Sequence, residues 1–265
     1  MTPVGDGMTQ PSYNAPGDFL EWDSQFFGKR IGSLHGNTMT AERMEQALQW
    51  SSELALDCAY FLVNTDDPET IRIAERNGFY FQSVRTVVER SLSNLDPVIL
   101  PPMDGLTLRV GRADDLDLLR PVARHAYHWT RFAIDPCFPD DKCAEMYDVW
   151  LTKSVNHEMA DEVVVAEYEG KAVGFVTCRL AKDSSAEGTL QLIGVAEENR
   201  GFKIGQRVVV EAMVWLAKQG MTHASLATQG HNVPVIRFYE RLDFTTRSIQ
   251  FWYHKWFNDC NPEQA

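Results

Sequence analysis

Apolar and polar positions alternate along most of this chain in short runs, broken by glycine, proline and asparagine. Period-2 runs rich in β-branched and aromatic residues predict strands, and apolar residues three and four apart predict helices. Residues 19–34 read as two short strands around Asp23-Ser24-Gln25. A helix is expected over 40–56, where Thr40 can cap and Met44, Ala47, Leu48 and Leu54 make an apolar stripe. Next come a strand at 59–63, a short helix at 68–76 and a long strand at 79–89. The pattern then breaks at Asp96-Pro97 and again at Pro101-Pro102-Met103-Asp104-Gly105, a linker or sharp turn.

Beyond the break a strand is expected at 106–110, then helices over roughly 113–127 and 141–157. Strands at 162–167 and 172–180 join at Glu169-Gly170-Lys171, a hairpin signal. A strand at 189–195, a helix at 203–219 ending at Gly220, a strand at 223–228, a helix at 233–242 and a long aromatic strand at 244–257 complete the pattern. Strands and helices alternate, so the class is α/β or α+β. The expected organisation is a loose tail over 1–17, a smaller α/β unit over 18–100 and a larger one over 101–265. Residues 71–79 can be laid on 236–244. Either the chain holds an internal repeat whose first copy is worn, with Ala74 where the second has Tyr239, or two strand–helix–strand pieces simply look alike.

Charge narrows the function. A net charge of −12 opposes a broad nucleic-acid surface, so an anionic ligand must be held by a local cluster of donors. No apolar run is long enough to cross a bilayer, and no secretory leader is evident. Five scattered cysteines without a Cys-x-x-Cys pair suggest free thiols in a reducing cytoplasm and no zinc site.

Two segments carry candidate chemistry. Val195 to Gln206 contains Arg200, Gly201, Phe202, Lys203, Ile204 and Gly205, a strand end, a glycine loop and a helix start. Unpaired N–H groups at a helix N-terminus bind phosphate, and the glycines allow close approach. Taken alone, such a loop is more often an ordinary turn. The second segment is Asn232-Val-Pro-Val-Ile-Arg-Phe-Tyr239-Glu-Arg-Leu-Asp-Phe244. Asn232 suits a helix cap, and Tyr239 lies two turns on along one face, either a proton donor or a core aromatic.

Together the segments resemble the GNAT N-acetyltransferase superfamily. Arg200 and Gly205 match the ends of its pyrophosphate loop, with Lys203 in place of the middle glycine. Asn232, Tyr239, Glu240, Arg241 and Phe244 match its following motif, with Asp243 in place of a glycine. The resemblance implies a GNAT fold over roughly 106–257, with a mixed, mostly antiparallel sheet, preceded by a smaller α/β unit that is a degenerate GNAT-like half if the repeat is real. It implies acyl-CoA, most simply acetyl-CoA, as cosubstrate and no metal. Ile193, Gly194 and Val195 would face the pantetheine and thioester, the loop through Gln206 and Asn232 would hold the cofactor, and Tyr239 would be the general acid. Gln191, where many relatives place a glutamate base, cannot take a proton, leaving water, His231 or Glu187.

Trp22-Asp23-Ser24-Gln25-Phe26-Phe27-Gly28, Thr130-Arg131-Phe132 with Asp135-Pro136 and Pro139, and Ala227-Thr228-Gln229 resemble the TDP-fucosamine acetyltransferase group. That narrower resemblance implies a nucleotide-linked amino-deoxysugar acceptor, with Arg131 and Phe132 as its ligands; His231 is a further candidate ligand, and the protein is expected to be cytoplasmic and compatible with a homodimer. The aromatic and cationic residues from Tyr127 to Phe132 could be an acceptor wall or a packed helix end; Trp22, Phe26 and Phe27 read as core. Competing expectations are another amine acceptor, a longer acyl donor such as hydroxybutyryl-CoA, or a non-catalytic acyl-CoA sensor.

Overall fold

The protein is described from a computed structural model covering residues 15–258, apart from 94, 96–99 and 128, together with residue 260. Most of the tail expected over 1–17 and the Asp96-Pro97 break therefore lie outside the described residues.

The chain runs β1 (Gly17–Phe19), α1 (Glu21–Phe27), β2 (Ile31–Leu34), α2 (Ala41–Glu53), β3 (Cys58–Asn64), α3 (Pro68–Arg76) and β4 (Tyr80–Ser91). It continues through β5 (Leu106–Val110), α4 (Leu116–Ala126), α5 (Asp140–Val155), β6 (Glu162–Tyr168), β7 (Lys171–Leu180) and β8 (Glu187–Val195). Last come α6 (Ile204–Lys218), β9 (His223–Gln229), α7 (Val233–Glu240) and β10 (Thr245–Trp256). The strands form one sheet in the order β1-β2-β3-β10-β4-β9-β8-β7-β6-β5. Among the described residues only the β2–β3 and β8–β9 pairs are parallel, so the sheet is mixed and mostly antiparallel, as expected.

Within that sheet the chain repeats itself at an offset of 165 residues. Strand β3 (Cys58–Asn64) maps onto β9 (His223–Gln229), and β4 (Tyr80–Ser91) onto β10 (Thr245–Trp256). Caps follow suit: Asp67 accepts from Thr70 N–H, and Asn232 from Val235 N–H. Gly78 and Asp243, each just beyond its helix, are both left-handed, with φ of 74° and 58°. Parallel pairing starts at Cys58 against Ile31 and at His223 against Glu187. The two copies exchange their long strands. β10 lies between β3 and β4, and β4 lies between β10 and β9.

Two expectations are corrected. Residues 21–27 form a helix, not part of a strand. Trp22, Phe26 and Phe27 recur at helical spacing, and the turn ends on Gly28 in the left-handed region. The cysteines are not all free: Cys137 and Cys260 are disulfide-bonded across 123 residues, while Cys58, Cys143 and Cys178 are free and buried. That removes the free-thiol argument for a cytoplasmic location. Among the described residues no helix is long and apolar enough to cross a membrane.

Alternation in the central strands divides the core. Val163 and Val165 face α4 and α5, whereas Val164 and Ala166 face α6. The first cluster also takes Phe27, Ile31, Cys58 and Tyr60 from the N-terminal half, so α4 and α5 pack against both halves. Trp22 and Phe26 pack at its edge, with Trp22 stacked on Phe26 at 4.9 Å and tilted against Trp150 at 5.8 Å.

Candidate active site

The site begins where β8 and β9 part. They are paired only from Glu187 to Thr189, against His223 to Ser225. Just beyond, β8 carries an irregularity. Cys178 of β7 faces Leu190 but Val176 faces Ile193, so two residues of β8, Gln191 and Leu192, stand against Thr177. The Thr177 hydroxyl accepts the Leu192 N–H at 2.9 Å. Such bulges re-aim strands beside active sites. Here Leu190 and Leu192, two apart, reach opposite faces of the sheet.

Past the bulge, the peptide groups of Ile193 find no partner on β9. The Tyr127 hydroxyl occupies both: it accepts the Ile193 N–H at 2.6 Å and donates to the Ile193 carbonyl at 3.1 Å. Tyr127, at the end of α4, is stacked on Tyr147 of α5 at 4.3 Å. Burial, opposed by the bond to Ile193, raises its pKa well above the ordinary tyrosine value. Gly194 must lack a side chain, since a Cβ would stand 2.9 Å from Phe175 and 3.0 Å from Val122.

At the open end of β8 the chain turns through Gly201, φ 86°, into α6. Lys203 is left-handed at φ 62°, ψ 16°. A lysine thus follows the path that glycine would take freely, at a cost of about 1 kcal/mol. No side chain caps α6 and no acidic residue stands in its first turn, whereas Thr40 and Asn232 cap α2 and α7. The first N–H groups of α6, with their partial positive charge, are left for a ligand. Phe202 is exposed beside them. Arg200 donates through Nε to the Val195 carbonyl at 3.2 Å, and Arg207 donates to the Pro101 carbonyl. A Cβ on Gly205 would meet Val195 at 3.5 Å and the Phe238 ring at 3.9 Å, ordinary contacts, so nothing within the chain demands a glycine there.

Tyr239, on α7, is buried between Phe238 and Phe244. Burial, then its neighbour Tyr127, raises its pKa well above the ordinary value, so the hydroxyl stays protonated at neutral pH. Ile193, Tyr127 and Tyr239 thus converge. Asn232 is occupied as the cap of α7, its Oδ1 accepting the Val235 N–H at 3.4 Å. Glu187 accepts from Arg247 at 2.8 Å and from Ser225; despite its burial, these bonds hold the carboxyl below its usual range. His231 is exposed and lies edge-on to Trp129.

Arg131 and Phe132 are apart from this point and buried. The Arg131 guanidinium lies over the rings of Tyr60, Phe132 and Trp252 at 4.0 to 4.2 Å. Its Nη1 meets His254 Nε2 at 2.8 Å, and His254 Nδ1 meets Asp135 Oδ2 at 2.6 Å. Burial, with Arg131 reinforcing it against Asp135, lowers the His254 pKa to about 4. A neutral ring then donates through Nδ1 to Asp135 and accepts through Nε2 from Arg131. Arg131 Nη2, Asp23 Oδ2 and the Tyr60 hydroxyl are buried without partners.

Sequence reasoning missed the bulge, the Tyr127 bridge and a cleft beside the β8–β9 opening. Its lining includes Arg85, Trp150, Gln191, Leu192, Ser225 and Arg247. A charged residue inside the β-branched run of β4 was the one signal for Arg85.

Comparison with known proteins agrees with this geometry. Residues 127–244 match the model of the acetyltransferase (GNAT) family. The chain is 30% identical over 146 residues to the spore coat polysaccharide biosynthesis protein SpsD of Bacillus subtilis, covering 54% of this chain and 48% of that protein. It is 24% identical over 229 residues to the mycothiol acetyltransferase of Stackebrandtia nassauensis, covering 83% and 69%. The chain therefore spans about half the length of the first of these relatives and about two thirds of the second. In fold it resembles the GCN5-related N-acetyltransferase of Sphaerobacter thermophilus, with a TM-score of 0.63 at 15% identity over 91% of this chain and 76% of that one. The parted strands, the uncapped helix and the matched segment together identify residues 127–244 as a GNAT-family acetyltransferase domain.

Proposed function

We propose that the protein is an acyl-CoA-dependent N-acyltransferase that acetylates the amine of a nucleotide-linked (dTDP) amino-deoxysugar by direct attack in a ternary complex. The observation that carries the transferase reading is the opening between β8 and β9, with an uncapped helix N-terminus at one end and Tyr239 beside it. The CoA pyrophosphate rests on the backbone of 202–206, with Arg200, Lys203 and Gly201 around it. Ile193 to Val195 take the pantetheine arm in place of the Tyr127 hydroxyl. The amine nitrogen bonds to the thioester carbon, the C–S bond breaks, and Tyr239 gives its proton to the sulfur. The proton shed by the amine leaves through water or the exposed His231, because Glu187 is tied into an ion pair.

The sugar acceptor rests on the likeness to SpsD, whose name places that protein in polysaccharide biosynthesis. Arg131 and Phe132 enter this reading as a buried cation and the ring beneath it, with the Arg131 Nη2 lacking a hydrogen-bond partner. The likeness to mycothiol acetyltransferases supports a second reading, a different small-molecule amine. A transfer assay with a panel of dTDP-amino sugars and simple amines, each against acetyl-CoA and longer acyl-CoAs, decides between them. Turnover of dTDP-amino sugars above all other amines is expected; equal turnover of amines lacking phosphate overturns the nucleotide-sugar acceptor.

A further inference from the structure

The cleft beside the β8–β9 opening has a one-sided chemistry. The space in it that water-sized molecules can occupy is about 50 Å³. Two of its lining side chains hold buried polar atoms without a partner, Arg85 Nε and Trp150 Nε1. Both are N–H donors that cannot accept. No carboxylate is among the lining residues, although the chain as a whole carries a net charge of −12.

Arg85 is placed there by the strand exchange. It sits on β4, from the N-terminal half, paired with Gln250 of β10 on one side and Gln229 of β9 on the other. Its Nη1 donates to the neutral Gln250 amide at 2.8 Å, and among the described residues no carboxylate is paired with it. Burial, then the cations Arg247 and Arg131, lower its pKa. Arg247 differs, being paired with Glu89 and Glu187. Trp150 is held from behind, its ring against Trp22 and Tyr147, with the indole N–H left over. Leaving a buried donor unpaired is unfavourable, and a charged donor more so. An anionic oxygen between the two would relieve both and balance the excess charge.

From this geometry we infer that Arg85, aided by the Trp150 indole, binds an anionic oxygen group of the acceptor, a phosphate or a carboxylate, in the cleft between β8 and β9. The N-terminal half thereby contributes to acceptor choice rather than to the acyl donor. This rests on the transferase reading only in calling the ligand an acceptor; the anion site itself does not.

The test uses the whole protein saturated with acetyl-CoA, so that the α6 loop is filled. Inorganic pyrophosphate and malonate, as phosphate and carboxylate probes, are titrated calorimetrically into wild type, Arg85→Gln and Arg85→Lys. One probe should bind the wild type, and which one names the source of the anion. Arg85→Gln should weaken it roughly ten- to hundredfold, the range for a hydrogen bond to a charged group. Arg85→Lys, which keeps the charge and loses Nε, should recover part of that. The Trp150 indole N–H should shift in the 15N-resolved spectrum of the wild type on binding. The inference is overturned if neither probe binds the wild type, or if a probe that binds the wild type binds Arg85→Gln equally well. Acetyl-CoA binding, measured in the same series, is a separate outcome: its loss with anion binding retained overturns the transferase reading and leaves the anion site standing.

Discussion

The Tyr127 hydroxyl holds both peptide groups of Ile193, at 2.6 Å from the nitrogen and 3.1 Å from the oxygen. These are the groups that the pantetheine arm would use, so acyl-CoA must displace the hydroxyl to bind. Tyr127→Phe leaves Ile193 unpartnered in the free protein at a cost of about 1–3 kcal/mol, which ligand binding then recovers. The variant should be less stable without ligand, bind acetyl-CoA more tightly and show the larger rise in Tm on adding it. A Tm rise equal to that of wild type would show that acyl-CoA does not take Ile193.

Tyr239→Phe keeps the ring between Phe238 and Phe244 and removes only the hydroxyl. Turnover should fall by about 10²–10⁴-fold, the usual share of general acid catalysis, with acetyl-CoA affinity little changed. Unimpaired turnover would leave Tyr239 a core aromatic.

Gly205→Ala separates folding from ligand binding. The added methyl meets only ordinary contacts, and alanine favours the helix by up to about 1 kcal/mol. Thermal stability should hold or rise while acetyl-CoA affinity drops. Unchanged affinity would move the pyrophosphate away from the α6 N-terminus.

Asp23 predicts a pH dependence of stability. Burial, opposed by Arg131, raises its pKa to about 6 from 3.8, and its Oδ2 has no partner. The folded state therefore holds a proton that the unfolded state has already lost between those values. Stability falls as pH rises from about 4 to 6 and the loss is constant above. Asp23→Asn removes this loss, so its Tm advantage over wild type should grow across that window and then level off. A difference independent of pH would mean that Asp23 ionises normally.

The N-terminal copy lacks the acyl-CoA features: Ala74 stands 165 residues before Tyr239, and the Thr40 side chain caps α2. Calorimetry should give one acetyl-CoA per chain; two equivalents would restore the first copy as a site.

The legible parts of this structure were local ones. Capping at Thr40 and Asn232, the hairpin at Glu169–Gly170 and the α6 loop all follow from short-range chemistry. Helix α1 was misread because seven residues with Leu20 in the capping place give a weak helical signal. The Gln191–Leu192 bulge depends on Thr177, and the Cys137–Cys260 bond on residues 123 apart. Arg85 reads as one polar residue in a strand until β9 and β10 are placed beside it. Nothing in the run Ser83 to Val88 specifies that neighbourhood.

The placement of β4 between β9 and β10 also sets an order of events during synthesis. At the usual elongation rate of about 5–20 residues per second, β4 leaves the ribosome on the order of ten seconds or more before either neighbour exists. For that interval the twelve residues that become β4, Tyr80–Ser91, lack both partner strands. Unpaired strand edges recruit other chains. The nascent protein must therefore be shielded until His223–Gln229 and Thr245–Trp256 arrive, so its yield in a cell should depend on holding chaperones more than its finished stability suggests.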